Sequence, residues 1–264
     1  MSAVSLQLLE AEDRATALRV EHGLGTNSIA DVFVFLAHFG AQVVRRPMGN
    51  DGPDGMYVHS PDLALIVVNS DRRPAYQRFI ACHQFGHHQF EGQSRFDMNV
   101  LSETSSTERR ANAFAGCLLM PRAGVEQWWR TSLDSGRAIP VAEKVVLLAR
   151  DFGMPYEATV SRLEELGKIR SSESLTLRQV SPEIVALRLG FDLDPERWEM
   201  GRINFPPEYV RLVLRAYGAG DISDARLSEL LYVPVEVARE RAREAGMTPD
   251  EESTDAILGN AIGA

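Results

Sequence analysis

The sequence predicts a mainly helical α+β protein with a small sheet in its first 70 residues. Three observations predict this fold class. Apolar residues recur at helical spacing along most of the chain, short β-branched and aliphatic runs occur before residue 70, and Gly- and Pro-containing turns separate these segments. With 264 residues, of which 44% are hydrophobic and 25% charged, the chain can bury a core and is neither disordered nor fibrous.

The N-terminal segment contains the predicted sheet. Predicted helices span residues 5–22 and 28–39, and predicted strands span residues 41–45, 56–59 and 63–69. Gly23 and Gly25 end the first helix, and Ser28 begins the second. The strand over 63–69 is a continuous aliphatic run, which predicts that it is largely buried.

The rest of the chain is predicted to be helical. A helix over 75–90 follows Pro74, a polar loop covers 93–107, and a second helix over 108–120 ends at Pro121. We expect a first domain over residues 1–170, which includes a helical hairpin with helix–turn–helix rhythm at about 136–170. A linker over 171–177, a helical module over 178–247 and a flexible tail over 248–264 complete the predicted organisation.

Composition and charge restrict the function classes. The net charge of −9 disfavours direct DNA binding, and the hairpin over 136–170 has six basic and five acidic residues, which is weak for a phosphate-binding face. Two cysteines exclude a disulfide scaffold. No apolar run approaches the ~20 residues of a membrane span, and the N-terminal residues do not resemble a signal peptide. We therefore expect a cytoplasmic protein that does not enter membranes.

The most informative segment surrounds two histidines. His83 and His87 are four residues apart on a predicted helix, which places both imidazoles on one face, where they can share a metal ion. A third ligand is needed, and Glu108 at the start of the next helix and Glu91 after His87 both qualify; Glu108 is favoured because Glu91 lies where the helix should end. His88 points about 100° away from His87 and should lie off the metal.

Three ordered motifs resemble the ImmA/IrrE family of metallopeptidases. They are Arg78–His87 (RFIACHQFGH), Glu108–Pro121 (ERRANAFAGCLLMP), and the pair Phe152–Ala158 and Arg162–Gly167. The resemblance covers about residues 10–170, and residues 200–240 more loosely. It implies a zincin-like small sheet with an active-site helix, followed by helix–turn–helix-like segments.

The resemblance also implies a metal centre and a reaction. The implied metal ligands are His83, His87 and Glu108, and the implied metal is Zn²⁺, with Mn²⁺ as an alternative. The implied activity is site-specific cleavage of a helix–turn–helix repressor, which derepresses stress-response or mobile-element genes. The strand over 63–69 is expected to offer an edge to the substrate. Tyr156 and Arg162 are candidate oxyanion donors, with packing and surface roles as alternatives.

One residue departs from the family pattern. Gln84 occupies the position of the glutamate that acts as general base, and its amide cannot accept a proton. Since a general base contributes about 10²–10⁴-fold to the rate, the chain should be nearly inactive. An inactivating substitution is one explanation. The alternative is a non-catalytic pseudo-peptidase that binds a regulator or antitoxin partner, and a DNA-binding regulator that uses the helical hairpin is a third hypothesis.

Overall fold

The computed structural model describes residues 3–60, 63–102, 105–134 and 139–249. The chain divides after Arg202 into two compact units, each with its own hydrophobic core. From residue 250 onward, the predicted tail lies outside the described residues, as do residues 136–138 of the predicted hairpin. Within these ranges, no helix combines the length and the apolar character that a membrane span requires.

A four-stranded mixed sheet lies in the first unit. Its strands are β1 (Ala41–Arg46), β2 (Gly55–Ser60), β3 (Leu63–Asn69) and β4 (Arg95–Asp97). Their order across the sheet is β1, β3, β2, β4, with β1 parallel to β3 and β2 antiparallel to β3 and β4. Strand β3 is the aliphatic run, and its interior position buries Ile66 and Val68 completely. The expectation that this strand offers a substrate edge is therefore wrong, because both of its sides are paired.

Strand β4 lies within the segment that the sequence predicts to be a polar loop. It has three residues, which is too short for alternating hydrophobicity to show. It pairs with β2 so that Asp97 lies opposite Gly55, and the Asp54 backbone N–H donates to the Asp97 carbonyl at 2.9 Å. Strand β4 is thus an outer edge of the sheet, and its backbone fixes the position of Asp97.

Ten helices in the described part of the first unit surround the sheet. They are α1 (Ala3–Glu21), α2 (Val32–His38), α3 (Pro74–Phe90), α4 (Ser106–Leu119), α5 (Arg122–Asp134), α6 (Val141–Phe152), α7 (Tyr156–Glu165), α8 (Ser171–Leu177), α9 (Pro182–Arg188) and α10 (Asp194–Glu199). Helix α2 begins later than predicted because Asp31, not Ser28, caps it by accepting from the backbone N–H groups of Phe33 and Val34. Helices α6 and α7 form the predicted hairpin.

The linker predicted over 171–177 is wrong, since these residues form helix α8. The Glu173 carboxylate caps its first turn by accepting from the Arg170 backbone N–H at 2.9 Å. Leu177 is buried, and its carbonyl accepts a hydrogen bond from the Tyr156 hydroxyl at 3.1 Å. A serine-rich composition resembles that of a linker, but the cap and one buried leucine make the segment a helix of the first unit.

The second unit contains three helices in its described residues. They are α11 (Pro207–Gly218), α12 (Asp224–Leu231) and α13 (Val235–Glu244). Ser223 caps α12 by accepting from the Arg226 backbone N–H. Leu227, Ala238 and Ala242 are completely buried and form the centre of the small core.

Candidate metal centre

Four buried side chains from three elements converge beneath the sheet. His83 and His87 lie on α3, Asp97 ends β4, and Glu108 lies in the first turn of α4; one ligand atom from each falls within 4.8 Å of the others. The two histidine Nε2 atoms are 3.0 Å apart, and Glu108 Oε2 is 3.1 Å from the first and 3.3 Å from the second. The three side chains predicted as ligands therefore meet at one point.

These residues fit a divalent metal ion. Bond lengths of 2.0–2.1 Å at a tetrahedral zinc imply about 3.3 Å between ligand atoms, and the three spacings around His83, His87 and Glu108 are 3.0–3.3 Å. Glu108 Oε2 is also buried without a hydrogen-bond donor. Because an unpaired buried carboxylate oxygen is costly, this oxygen indicates a missing cation. Both Zn²⁺ and Mn²⁺ bind to imidazole nitrogen and carboxylate oxygen ligands.

Each histidine is oriented by a second partner on its other ring nitrogen. The Nδ1–H of His83 donates to Asn112 Oδ1 at 2.8 Å, and that of His87 donates to Glu91 Oε2 at 2.6 Å. Such partners fix the ring and direct a deprotonated Nε2 at the metal. Glu91, the rival ligand in the sequence analysis, is thus an outer partner of His87 and not a member of the cluster. Arg95 donates to Glu108 Oε1 at 2.6 Å.

Close packing of α3 on α4 brings the carboxylate to the histidines. Gly86 faces α4, and a Cβ atom there would lie 3.2 Å from the Ala111 Cα and 3.3 Å from the Phe114 ring. Glycine therefore allows the two helices to approach more closely than a larger residue would. The Ser105 hydroxyl caps α4 by accepting from the Glu108 backbone N–H at 3.2 Å, which sets the start of the helix and the place of Glu108.

Comparison with known proteins agrees with this geometry. Residues 36–164 match the model of the peptidase M78 family, described as the IrrE N-terminal-like domain. The matched region contains the strands, both histidines and Glu108. Residues 36–164 therefore form a domain of the ImmA/IrrE metallopeptidase family. No curated protein matches the sequence.

Gln84 distinguishes the metal centre of this ImmA/IrrE chain. Its side chain is completely buried, and its Nε2 donates to Asp97 Oδ2 at 2.5 Å. Its Oε1 has no hydrogen-bond donor. The Gln84 amide thus donates a hydrogen bond to a neighbouring carboxylate. An ionised glutamate at this position has no proton and could not donate one.

The buried charges of the cluster balance one another. Burial alone would lower the pKa of His87, but hydrogen bonds with Glu108 and Glu91 outweigh it and raise that pKa to about 9. Burial would likewise raise the pKa of Glu108, yet His83 and His87 hold it far below its ordinary range. A cation that binds here must therefore displace a proton from His87.

Tyr156 and Arg162 both donate hydrogen bonds to backbone carbonyls of other helices. The Tyr156 hydroxyl donates to the Leu177 carbonyl, and the Arg162 Nε donates to the Met120 carbonyl at 3.3 Å. Met120 ends α4, 12 residues after Glu108, which corresponds to about 18 Å at 1.5 Å per residue. These contacts favour the packing alternative, and the role of both residues as oxyanion donors stays a prediction. Both hold helices together, as the packing alternative for them allows.

Asp97 and His88 differ in how well the sequence predicts their positions. Asp97 was missed because it lies in a segment read as a loop, and no known ligand spacing marks an aspartate 10 residues after His87. His88 lies outside the cluster, as its helical angle predicts; its Nδ1 is 2.6 Å from the Tyr57 hydroxyl.

Proposed function

We propose that this chain is a metal-dependent regulator that recognises a helix–turn–helix transcriptional repressor through its metallopeptidase domain. With Gln84 it holds the repressor without efficient cleavage, and a Gln84→Glu form cleaves it. The observation that carries the proposal is the meeting of His83, His87 and Glu108 beside Gln84, whose amide donates a hydrogen bond to Asp97 and cannot take up a proton as a carboxylate would. The repressor itself comes from the family resemblance.

The residues of the centre have different roles in peptide hydrolysis. A divalent ion held by His83, His87 and Glu108 supplies Lewis acidity, which polarises a peptide carbonyl and activates water. Asn112 and Glu91 keep the imidazoles in place. A glutamate at position 84 would take the proton from the attacking water, and the amide of Gln84 lacks this capacity. Its loss lowers the rate by about 10²–10⁴-fold.

The outer edge of the sheet supports a peptide partner. Strand β4 pairs with β2 on one side only in the described sheet, and it ends at Asp97 of the cluster. Phe96 and Met98 flank Asp97 and are 58% and 52% exposed. An extended segment that pairs with such an edge gains main-chain hydrogen bonds and apolar contacts next to the metal centre. A linker or loop of a repressor has this extended form.

The test compares cleavage and binding by four forms of the chain. The unaltered, Gln84→Glu, His83→Ala and Gln84→Glu/His83→Ala proteins are loaded with Zn²⁺ and incubated with the repressor encoded beside the gene. We expect that all four bind the repressor and that only Gln84→Glu produces fragments on a gel. A chelator should stop this cleavage, and a Gln84→Asn form should match the unaltered chain.

Three outcomes would contradict the proposal in different ways. Cleavage by the unaltered chain at a rate similar to that of Gln84→Glu would show that the chain is a working endopeptidase. Absence of binding by every form, measured by calorimetry, would remove the repressor as the partner. Equal cleavage of an unrelated unfolded protein would remove the specificity.

A further inference from the structure

A second carboxylate, that of Asp97, lies against the metal centre and accepts a hydrogen bond from Gln84 Nε2 at 2.5 Å. Asp97 Oδ2 is 3.7 Å from His83 Nε2 and 3.9 Å from His87 Nε2, distances that are too long for hydrogen bonds. Asp97 is nevertheless 5% exposed. Its oxygen faces the same point as the other three ligand atoms, all within 4.8 Å of one another.

We propose that Asp97 is a fourth protein ligand of the metal and that Gln84 holds it in place. The centre of this chain is then closed, with two imidazoles and two carboxylates around the ion. Catalytic zinc sites keep three protein ligands and one open position, whereas structural sites use four. The inference rests on the metal centre of the proposed function, but not on the repressor.

The sheet fixes the backbone of Asp97 beside the metal centre. The Asp97 carbonyl accepts from the Asp54 backbone N–H at 2.9 Å, and the strand pairing sets Asp97 opposite Gly55. Gly55 also makes room for the amide, since a Cβ atom there would lie 3.3 Å from Gln84 Nε2 and 2.6 Å from the Ile80 Cγ2. The bare glycine thus lets α3 approach the sheet closely enough for Gln84 to reach Asp97.

The charges of the cluster suit four ligands. Two carboxylates, Glu108 and Asp97, neutralise a divalent ion, and the neutral amide of Gln84 adds a donor without a charge. A glutamate at position 84 would instead place a third carboxylate within hydrogen-bond distance of Asp97. Like charges that close cannot both ionise without cost, so one of them must take a proton or move. The neutral amide of Gln84 therefore suits an ionised Asp97 better than a glutamate would.

The first test uses the unaltered protein loaded with Co²⁺, whose visible absorption reports ligand number. Azide is added as a small anion that binds an open position. We expect no shift of the Co²⁺ bands with azide in the unaltered chain and a clear shift in Asp97→Ala. Azide binding by the unaltered chain would show an open fourth position and overturn the proposal, and this measurement needs no variant to fold.

The second test measures Zn²⁺ affinity by competition with a chromophoric chelator, without repressor. Loss of an outer partner costs about 10–100-fold in affinity. We expect Asp97→Ala to lose more than this, and the isosteric Asp97→Asn to lose less than Asp97→Ala because its amide oxygen can still approach the ion. A change below 3-fold in both variants would overturn the ligand role. Failure of every form to bind metal would instead remove the proposed function itself.

Discussion

Asp54 and Asp97 are neighbouring buried carboxylates with opposite bonding, although one donates its backbone N–H to the carbonyl of the other. Asp54 is 3% exposed, and its oxygens accept from Arg72 Nε at 2.8 Å, the Val100 backbone N–H at 2.9 Å and the Tyr76 hydroxyl. Among the described residues, the Asp97 side chain accepts a hydrogen bond only from Gln84, and it otherwise faces imidazole nitrogens at longer distances. Asp54 and Asp97 are thus both buried carboxylates, and they differ in their hydrogen-bond partners.

The comparison teaches which buried charges hold the fold and which serve a ligand. A carboxylate whose oxygens are all paired stabilises the structure by itself, because its hydrogen bonds offset the cost of burial. The cluster around Asp97 leaves Glu108 Oε2 and Gln84 Oε1 without donors. A bound metal ion would complete the bonding of the cluster. The following predictions change one side of this comparison at a time.

The largest effect is expected where a metal ligand is removed. His83→Ala deletes one of the two imidazoles, and we expect Zn²⁺ binding to fall by more than the 10–100-fold that an outer partner costs. The matched control is His88→Ala, five residues further along the same helix, which removes an imidazole that contacts Tyr57 instead of the cluster. Calorimetric titration should give an affinity for the control within about 3-fold of the unaltered chain. Similar losses in both variants would contradict the assignment.

Removal of Asp54 should destabilise the fold with or without metal. Asp54→Ala leaves the Arg72 guanidinium without its carboxylate, and breaking a buried pair costs about 3–5 kcal/mol in the free energy of unfolding. Urea denaturation measures this loss. Asp97→Asn is the control, and its metal-free form should lie within about 1 kcal/mol of the unaltered chain, because an isosteric amide keeps the packing. A loss that appears for Asp54→Ala only in the metal-loaded protein would reverse the comparison.

The sequence predicts the three residues of the centre that lie on helices. Four-residue spacing places His83 and His87 on one face, and Glu108 follows from its place at the start of α4. Asp97 could not be predicted, because a three-residue strand has no visible period and its ligand position depends on pairing with a distant strand. Tyr156 and Arg162 carry motif signals, but only tertiary contacts show that both hold helices together.

An intermediate effect is expected from the outer partner of His87. Glu91→Gln keeps the size of the side chain but removes the charge that accepts from His87 Nδ1 and pairs with Arg110. We expect metal affinity to fall by about 10–100-fold while the fold is retained. Glu10→Gln is a matched control, since Glu10 also contacts Arg110, at 3.8 Å, but touches neither histidine. Equal affinity in the two variants would show that Glu91 does not orient the ring.

The smallest effect concerns the end of α4 that lies far from the metal. Cys117 is 5% exposed, and burial raises the pKa of its thiol to about 12. A raised pKa keeps the thiol protonated at pH 8, and only the thiolate reacts with disulfide reagents. In a Cys82→Ala chain, which leaves Cys117 as the only thiol, we expect no reaction with Ellman's reagent at pH 8 until denaturant is added.

The thiol experiment tests whether the C-terminal end of α4 stays packed in the native protein. Cys117 shares its helix with Glu108 but packs near Arg162, whose partners are all protein groups. Reaction of the native thiol within minutes would mean that this end of the helix opens to solvent, so that Arg162 would be free to reach a substrate. Slow reaction limited by unfolding would show that this end of α4 stays closed to solvent in the native protein.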